Sequence, residues 1–260
     1  MERLPISVCM IAGNEARRIR RALESVAGWT SEIVVVIDDK VTDGTGKIAE
    51  SYGAKVFSQP WNGHSAHRNF AAEQATQSWL LGLDADEEVS HKLRGEIISA
   101  VARLETDSPD AYSFPRCTLF CGRWIRHGDW YPDRKVRLWR RGRAKWSGAL
   151  HEKLVVEGRV EKLRGDLLHY SMDSLDHFTR KSIMVSGLFV RQKLEQGAPP
   201  GALEMWLRPW WRFVRGFVFR LGFLDGWQGY AIARMVAFET FLRYAKLREA
   251  RLAPENGKFP

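Results

Sequence analysis

Along the first hundred residues, short continuous apolar runs alternate with stretches of helical spacing. Ile6 to Ala12 reads as a buried strand, Asn14 stands where it would cap a helix to about Ala27, and Glu32 to Ile37 is a second, Val-rich run. Thr42-Asp43-Gly44-Thr45 reads as a turn and cap before a helix to Tyr52. A short strand over Ala54 to Phe57, a helix over Ser65 to Gln77 and a strand over Trp79 to Leu83 follow. This alternation predicts an α/β fold with a mostly parallel sheet and helices on both faces.

Ser90 is placed to cap a helix to about Leu104, after which the pattern changes to short strands and aromatic loops. Ala111 to Pro115, Lys135 to Arg140, Lys153 to Val156 and Leu167 to Tyr170 predict a second, antiparallel portion. Spacing is helical again from Ser174 to Gln196, and Gly197-Ala198-Pro199-Pro200-Gly201 breaks it. Two more helices are predicted, about Leu203 to Phe223 and Trp227 to Ala250, separated by Leu224-Asp225-Gly226. The expected organisation is a main domain over 1–196, in parts 1–104 and 105–196, and a helical tail over 197–260.

In open sheets of this kind ligands gather beyond the carboxyl ends of the strands, and Asn14, Asp38 and Asp84 all sit at such ends. Asp84-Ala85-Asp86 closes the run Trp79-Leu80-Leu81-Gly82-Leu83, and residues i and i+2 of an extended segment project the same way. Two carboxylates so close repel unless one protonates or a cation neutralises them. Magnesium or manganese shared with a substrate diphosphate fits that need. The plain alternative is that Asp86-Glu87-Glu88 forms an acidic helix entrance before Ser90.

Composition narrows the class only partly. The 260 residues are 45% hydrophobic and 27% charged, as in an ordinary globular chain, which argues against wholesale disorder. A net charge of +9 points to an anionic partner such as nucleic acid, phosphorylated glycan, sugar nucleotide or acidic membrane face. No nucleic-acid-binding motif supports the first of these, and none is expected as a partner. Three cysteines, Cys9, Cys117 and Cys121, do not make a disulfide framework, and a reducing cytoplasm is the simpler home. The segment Leu4 to Gly13, broken by Pro5 and Ser7 and followed by Asn14-Glu15-Ala16-Arg17-Arg18, does not read as a signal peptide.

In the tail, Trp206, Leu207, Trp210, Trp211, Phe213, Phe217, Val218 and Phe219 alternate with Arg208, Arg212, Arg215 and Arg220. Arg208, Arg212 and Arg215 share one helical face. Arginines interleaved with indoles predict a helix lying in an anionic membrane interface, and so a peripheral protein on the inner face of the cytoplasmic membrane. The alternative is packing of that helix on protein.

Four motifs stand in order: Asn14-Glu15 after the first strand, Asp38 with Thr42-Asp43-Gly44-Thr45 after the second, Arg68-Asn69 in the next helix, and Asp84-Ala85-Asp86-Glu87-Glu88 after the fourth. Over about Ile6 to Leu104 they resemble the inverting family-2 glycosyltransferases of the GT-A fold. Trp61-Asn62-Gly63, His67-Arg68-Asn69, His151-Glu152 and Gly222-Phe223-Leu224-Asp225-Gly226 look like the branch that builds the lipopolysaccharide inner core. That branch usually adds glucose to a heptose. It also usually carries Ser-Gly-Ser where this chain has Asp39-Lys40-Val41.

The resemblance implies an enzyme, dependent on Mg2+ or Mn2+, that moves a hexose from a UDP-sugar donor to a lipid-linked saccharide with inversion. A polyprenyl-phosphate acceptor, or a non-catalytic sugar-nucleotide-binding role, are the alternatives. By the same resemblance Asn14, Glu15, Asp38, Arg68 and Asp84 bind donor, with Asp38 accepting from the uracil edge and Arg68 near uracil or phosphate. Asp86 is the metal ligand, Asp84 touches ribose or a metal-bound water, His169 is a candidate further ligand, and His151 a candidate phosphate contact. Plain alternatives are a cap acid for Asp38, a solvated helix face for Arg68 and a core histidine for His169. Glu152 is the expected general base, with Asp133 in reserve. Trp124, Trp130, Tyr131, Trp139 and Trp146 line the acceptor or fill the core. On this implication 1–104 binds the nucleotide sugar, 105–196 the acceptor, and 197–260 the membrane.

Overall fold

The computed structural model describes residues 3–103, 108–148, 152–172, 174–197 and 203–252. In chain order the elements are β1 (Leu4–Ala12), α1 (Ile19–Val26), β2 (Thr30–Asp38), α2 (Thr45–Ser51), β3 (Lys55–Gln59), α3 (His64–Gln74), β4 (Trp79–Gly82), β5 (Glu87–Val89) and α4 (His91–Val101). They continue with β6 (Ala111–Phe120), β7 (Arg123–Trp124), β8 (Asp133–Arg140), β9 (Ala144–Ser147), β10 (Lys153–Val156), β11 (Val160–Lys162), β12 (Leu167–Met172), α5 (Leu175–Glu195), α6 (Glu204–Val214) and α7 (Gly226–Leu252). Packing divides the chain into one unit of residues 1–116 and 133–170 and another of 117–132 and 171–260.

The main sheet has the order β3-β2-β1-β4-β8-β6-β12-β5. β1 pairs in parallel with β2 and β4, and β2 with β3, whereas β8 is antiparallel to β4 and β6. The expected change from parallel to antiparallel structure therefore falls inside one sheet. β9 and β10 form a separate antiparallel pair. Strand periodicity sorts the first unit's core onto two faces. Val8, Met10, Ile33 and Val35 meet Ile19, Leu23 and Val26 of α1 on one side. Cys9, Val34, Val36 and Leu80 meet Ala71 of α3 and Trp139 of β8 on the other. Each fully buried aliphatic side chain contributes about 1.5–3 kcal/mol, so β1 and β2, buried on both faces, anchor the unit.

Two local expectations change. Asn14 does not cap α1, which starts at Ile19; its Oδ1 accepts from Thr42 N at 3.3 Å. Glu15 N donates to Thr45 Oγ1 (2.9 Å) and Ala16 N to Asp43 Oδ2 (3.0 Å), so the loops after β1 and β2 are clasped together instead. Glu87–Val89 is a strand paired with β12, not a helix entrance. α4 then begins where expected, with Ser90 Oγ accepting from Leu93 N at 3.2 Å. The strands β9 and β11 were not expected, being too short to show a period.

The second unit departs from the expected boundary at 197. α5 lies with the tail helices, because it buries Phe178, Ser182, Ser186 and Val190 along one stripe and packs on α7. Phe178 and Ile232 share a core with Phe120 and Ile125 of the 117–132 segment. The helix expected over Leu203 to Phe223 breaks into α6, a π-helical turn at Arg215–Phe219 and a 3₁₀ turn at Gly222–Asp225. Glycine is required here, since a Cβ on Gly229 would stand 1.9 Å from the Gly222 carbonyl oxygen. Among the described residues no helix is long and apolar enough to cross a membrane.

The expected basic face of α6 is also revised. Arg212, Arg215 and Arg220 gather on the Asp129 carboxylate at 3.3, 2.6 and 3.3 Å, and Arg208 pairs with Glu204. Asp129 is only 5% exposed, and the three half-exposed guanidiniums cover it. α6 leaves Trp206, Leu207, Trp210 and Trp211 exposed, together with the Glu204-paired Arg208.

Candidate active site

At the end of β4 the chain turns through Asp84-Ala85-Asp86 into β5. The turn is tied by Glu87, whose backbone N–H donates to Asp84 O (3.0 Å) and whose Oε2 accepts from Asp84 N (3.0 Å). Asp84 is gripped by two arginines, Arg137 Nη2 at 2.7 Å from Oδ2 and Arg68 Nη2 at 2.8 Å from Oδ1. Burial would push its carboxyl up, but the Arg137 and Arg68 guanidiniums outweigh burial and hold it well below the usual range. Asp84 is therefore a fixed anion. The contact expected to be with ribose or a metal-bound water is, in this structure, with guanidinium groups.

Asp86 behaves in the opposite way. Burial first, and then the charge of Asp84, raise its carboxyl above the usual range, with Arg18 Nη1 at 3.8 Å offsetting only part of this. His169 Nε2 lies 3.6 Å from Asp86 Oδ2, delivered by the β5–β12 pairing that sets His169 opposite Glu87. A partly uncompensated carboxylate beside an imidazole suits a divalent cation. Among the described residues no group of three or more His, Cys, Asp or Glu is poised to hold an ion. Two protein ligands still fit magnesium or manganese, which keep waters and take substrate phosphate oxygens. Asp86 and His169 would hold the ion.

Glu152 reaches the same place through Arg68, whose Nε stands 3.3 Å from Glu152 Oε2; His64 Nδ1 is 4.0 Å from the other oxygen. Arg68, 13% exposed, thus bridges the expected base and the fixed anion, and its guanidinium lies 4.6 Å from the Trp146 ring. The solvated-face alternative for Arg68 falls. Asp133 is placed differently: Arg116 donates to its Oδ2 through Nη2 (2.7 Å) and Nε (3.1 Å), and Lys135 Nζ is 3.0 Å from Oδ1. His151 lies outside the described residues.

Glu15, expected among the donor ligands, receives Arg18 through Nε (2.8 Å) and Nη2 (3.1 Å), and burial raises its carboxyl. Arg18 thereby links Glu15 to Asp86. Asp38 closes β2, and the Lys40 backbone N–H at 3.1 Å is the main influence holding its carboxyl below the usual range. The nearby His67 imidazole adds a smaller pull in the same direction.

Arg137 and Arg18 carry no expectation as site residues, and Glu87 and His67 enter the sequence analysis only inside the motifs that carry the resemblance. Arg137 sits at an irregularity of β8, where Tyr112 and Ser113 of β6 pair with Leu138 and Val136, so simple strand alternation does not mark its face. Arg18 has no comparable signal. His67 is 1% exposed, neither ring nitrogen has a hydrogen-bond partner, and the Trp61 ring lies 4.6 Å away. The aromatic floor is revised too: Trp139 and Trp146 pack edge to face in the core at 6.2 Å, and Trp130 packs beside Phe178 in the second unit.

The sequence matches glycosyl transferase family 2 over residues 7–149. An uncharacterized glycosyltransferase of Rickettsia typhi is 31% identical over 96% of this chain and 89% of its own length. The lipopolysaccharide core biosynthesis glycosyltransferase LpsC of Rhizobium meliloti is 30% identical over 94% of this chain and 92% of its own. In fold, the chain resembles the mannosyltransferase PcManGT of Pyrobaculum calidifontis, solved with GDP-Man and Mn2+, at a TM-score of 0.55 and 14% identity over 96% of this chain and 89% of that one. The mixed sheet with strand-end carboxylates is thus the GT-A architecture, and the chain belongs to glycosyl transferase family 2 as a glycosyltransferase.

Proposed function

We propose that this glycosyltransferase moves a hexose, glucose as first choice, from a UDP-sugar to a lipid-linked saccharide of the lipopolysaccharide-core type, with inversion at the anomeric carbon. The carrying observation is the pairing of Asp86 with His169 next to an Asp84 fixed by Arg68 and Arg137. The lipopolysaccharide-core role of the relative LpsC supports the acceptor class, and the Mn2+ bound with PcManGT supports a divalent ion. When bound, that ion would offset the charge that develops on the departing diphosphate.

The chain's own residues supply the rest. Glu152 takes the proton of the acceptor hydroxyl, and Arg68, touching both Glu152 and Asp84, sets its position. Asp38 accepts from the imide N–H of the base. His67 presents an otherwise unpaired ring nitrogen to the nucleotide beneath Trp61, which removes the cost of about 1–3 kcal/mol that an unsatisfied buried polar group carries. The second unit rests on the inner face of the cytoplasmic membrane, where a lipid-anchored acceptor is presented.

A thermal-shift panel of nucleotide sugars with and without manganese tests this reading. UDP-hexoses should raise the melting temperature most, and only with the metal, because a ligand bound to the native state alone stabilises it. A larger shift with GDP-sugars, or an equal shift in chelator, would overturn the donor or the metal assignment respectively.

A further inference from the structure

In the second unit, α6 and α7 enclose a groove of about 360 Å³ walled by Trp206, Trp210, Phe213, Phe238 and Phe241, with Arg234 at its edge. We propose that this groove seats one acyl chain of an anionic membrane phospholipid, with the Arg234 guanidinium meeting the lipid phosphate. The inference rests on the membrane-attachment reading above and replaces its basis, since the arginines first expected to face lipid are folded onto Asp129 and Glu204.

Groove volume and chemistry agree with a lipid chain. Ligand pockets span roughly 300–1,000 Å³ and combine apolar walls with few polar groups. The walls here are aromatic and exposed, Trp206 at 69% and Trp210 at 65%. Water-facing indoles of this kind favour the boundary between headgroups and acyl chains.

Arg234 separates this groove from a merely apolar face. Among the described residues it has no carboxylate within ion-pair distance, whereas Arg208, Arg212, Arg215, Arg220 and Arg243 all do. Its guanidinium lies 5.8 Å from the Phe213 ring centroid, so its charge stands at the mouth of the apolar walls. A phosphate ester is the partner this arrangement lacks.

Charge also decides between a lipid and a second copy of the chain. Residues 117–132 and 171–260 hold sixteen Lys or Arg and nine Asp or Glu, which places +7 of the chain's +9 in this unit. Two such units pressed together through this groove would repel, while an anionic leaflet attracts them. The same field would hold the acyl chain's headgroup against Arg234.

Vesicles of phosphatidylcholine with 30% phosphatidylglycerol, the latter carrying a photoreactive diazirine in one acyl chain, provide the test on the full chain. Adducts should map to 203–213 and 234–241. Ala237→Trp, which fills the groove, should abolish those adducts, and Arg234→Gln should weaken flotation with anionic vesicles about fivefold without altering the response to pure phosphatidylcholine. Donor hydrolysis measured without lipid should be unchanged in both variants, which shows that they fold. Flotation with adducts only elsewhere would defeat the groove and leave peripheral attachment standing; no flotation would defeat both. A dimer in sedimentation velocity that Ala237→Trp dissolves would assign the groove to a second copy and overturn the proposal. Labelling by a photoreactive acceptor glycolipid in place of phosphatidylglycerol would overturn the choice of ligand.

Discussion

His169 Nε2 lies 3.6 Å from Oδ2 of Asp86, and the antiparallel register of β5 with β12 is what brings them together. The pairing joins a carboxylate in the turn between β4 and β5 to an imidazole from β12, the last strand in chain order. If both hold the cation, Asp86→Ala should abolish manganese-dependent donor hydrolysis. His169→Ala should weaken manganese affinity about tenfold, or ~1.4 kcal/mol, in a metal titration followed by calorimetry. Equal manganese affinity in wild type and His169→Ala would remove the histidine from the site.

Glu152 shares Arg68 with Asp84, so its role separates cleanly into chemistry and binding. Glu152→Gln keeps the size and the hydrogen-bonding oxygen but cannot take a proton. Its kcat should fall roughly 10²–10⁴-fold with donor affinity unchanged. Full turnover would dismiss it as the base and turn attention to Asp133, which is tied to Arg116 and Lys135.

Glu32 supplies a pH test away from the site. Burial pushes its carboxyl up, but Lys55 Nζ at 2.7 Å, the Ser7 hydroxyl and the Thr76 N–H at 2.7 Å outweigh burial and hold it at about 2, against 4.5 for an unperturbed glutamate. A depressed folded-state value means that the stabilisation is complete above about pH 4.5 and is lost as pH falls toward 2. Solvent screening at the exposed Lys55 keeps it to on the order of 1–2 kcal/mol. Chemical denaturation of Glu32→Gln should show lower stability at pH 7 and a flatter dependence on pH between 5 and 2; an unchanged slope would refute the assignment.

Asp129 is the hub of the second unit's charge. Asp129→Asn leaves three guanidiniums without their common anion and should cost about 3 kcal/mol in denaturant unfolding. Arg212→Gln should cost less than about 1 kcal/mol, because two arginines remain and Arg212 is partly exposed. Similar losses in the two variants would show that the cluster is not centred on the carboxylate.

The amino-acid order alone determined the local structure and the kind of chemistry. Continuous apolar runs placed β1, β2 and β4, the break at 197–201 marked the end of α5, and Asp38, Asp84 and Asp86 stood where strands end. These features are local: a buried strand needs apolar side chains at every position, and a chain leaving the sheet must expose polar ones. The tertiary structure alone decided the partnerships. That Arg137 and Arg68 grip Asp84, that His169 meets Asp86, and that Arg212, Arg215 and Arg220 converge on Asp129 depend on β8 lying beside β4, β12 beside β5, and the 128–130 turn packing on residues 215–219. Periodicity reveals which face of an element is buried, but which elements become neighbours is settled by long-range packing, and a charge finds its partner only after those neighbours have assembled.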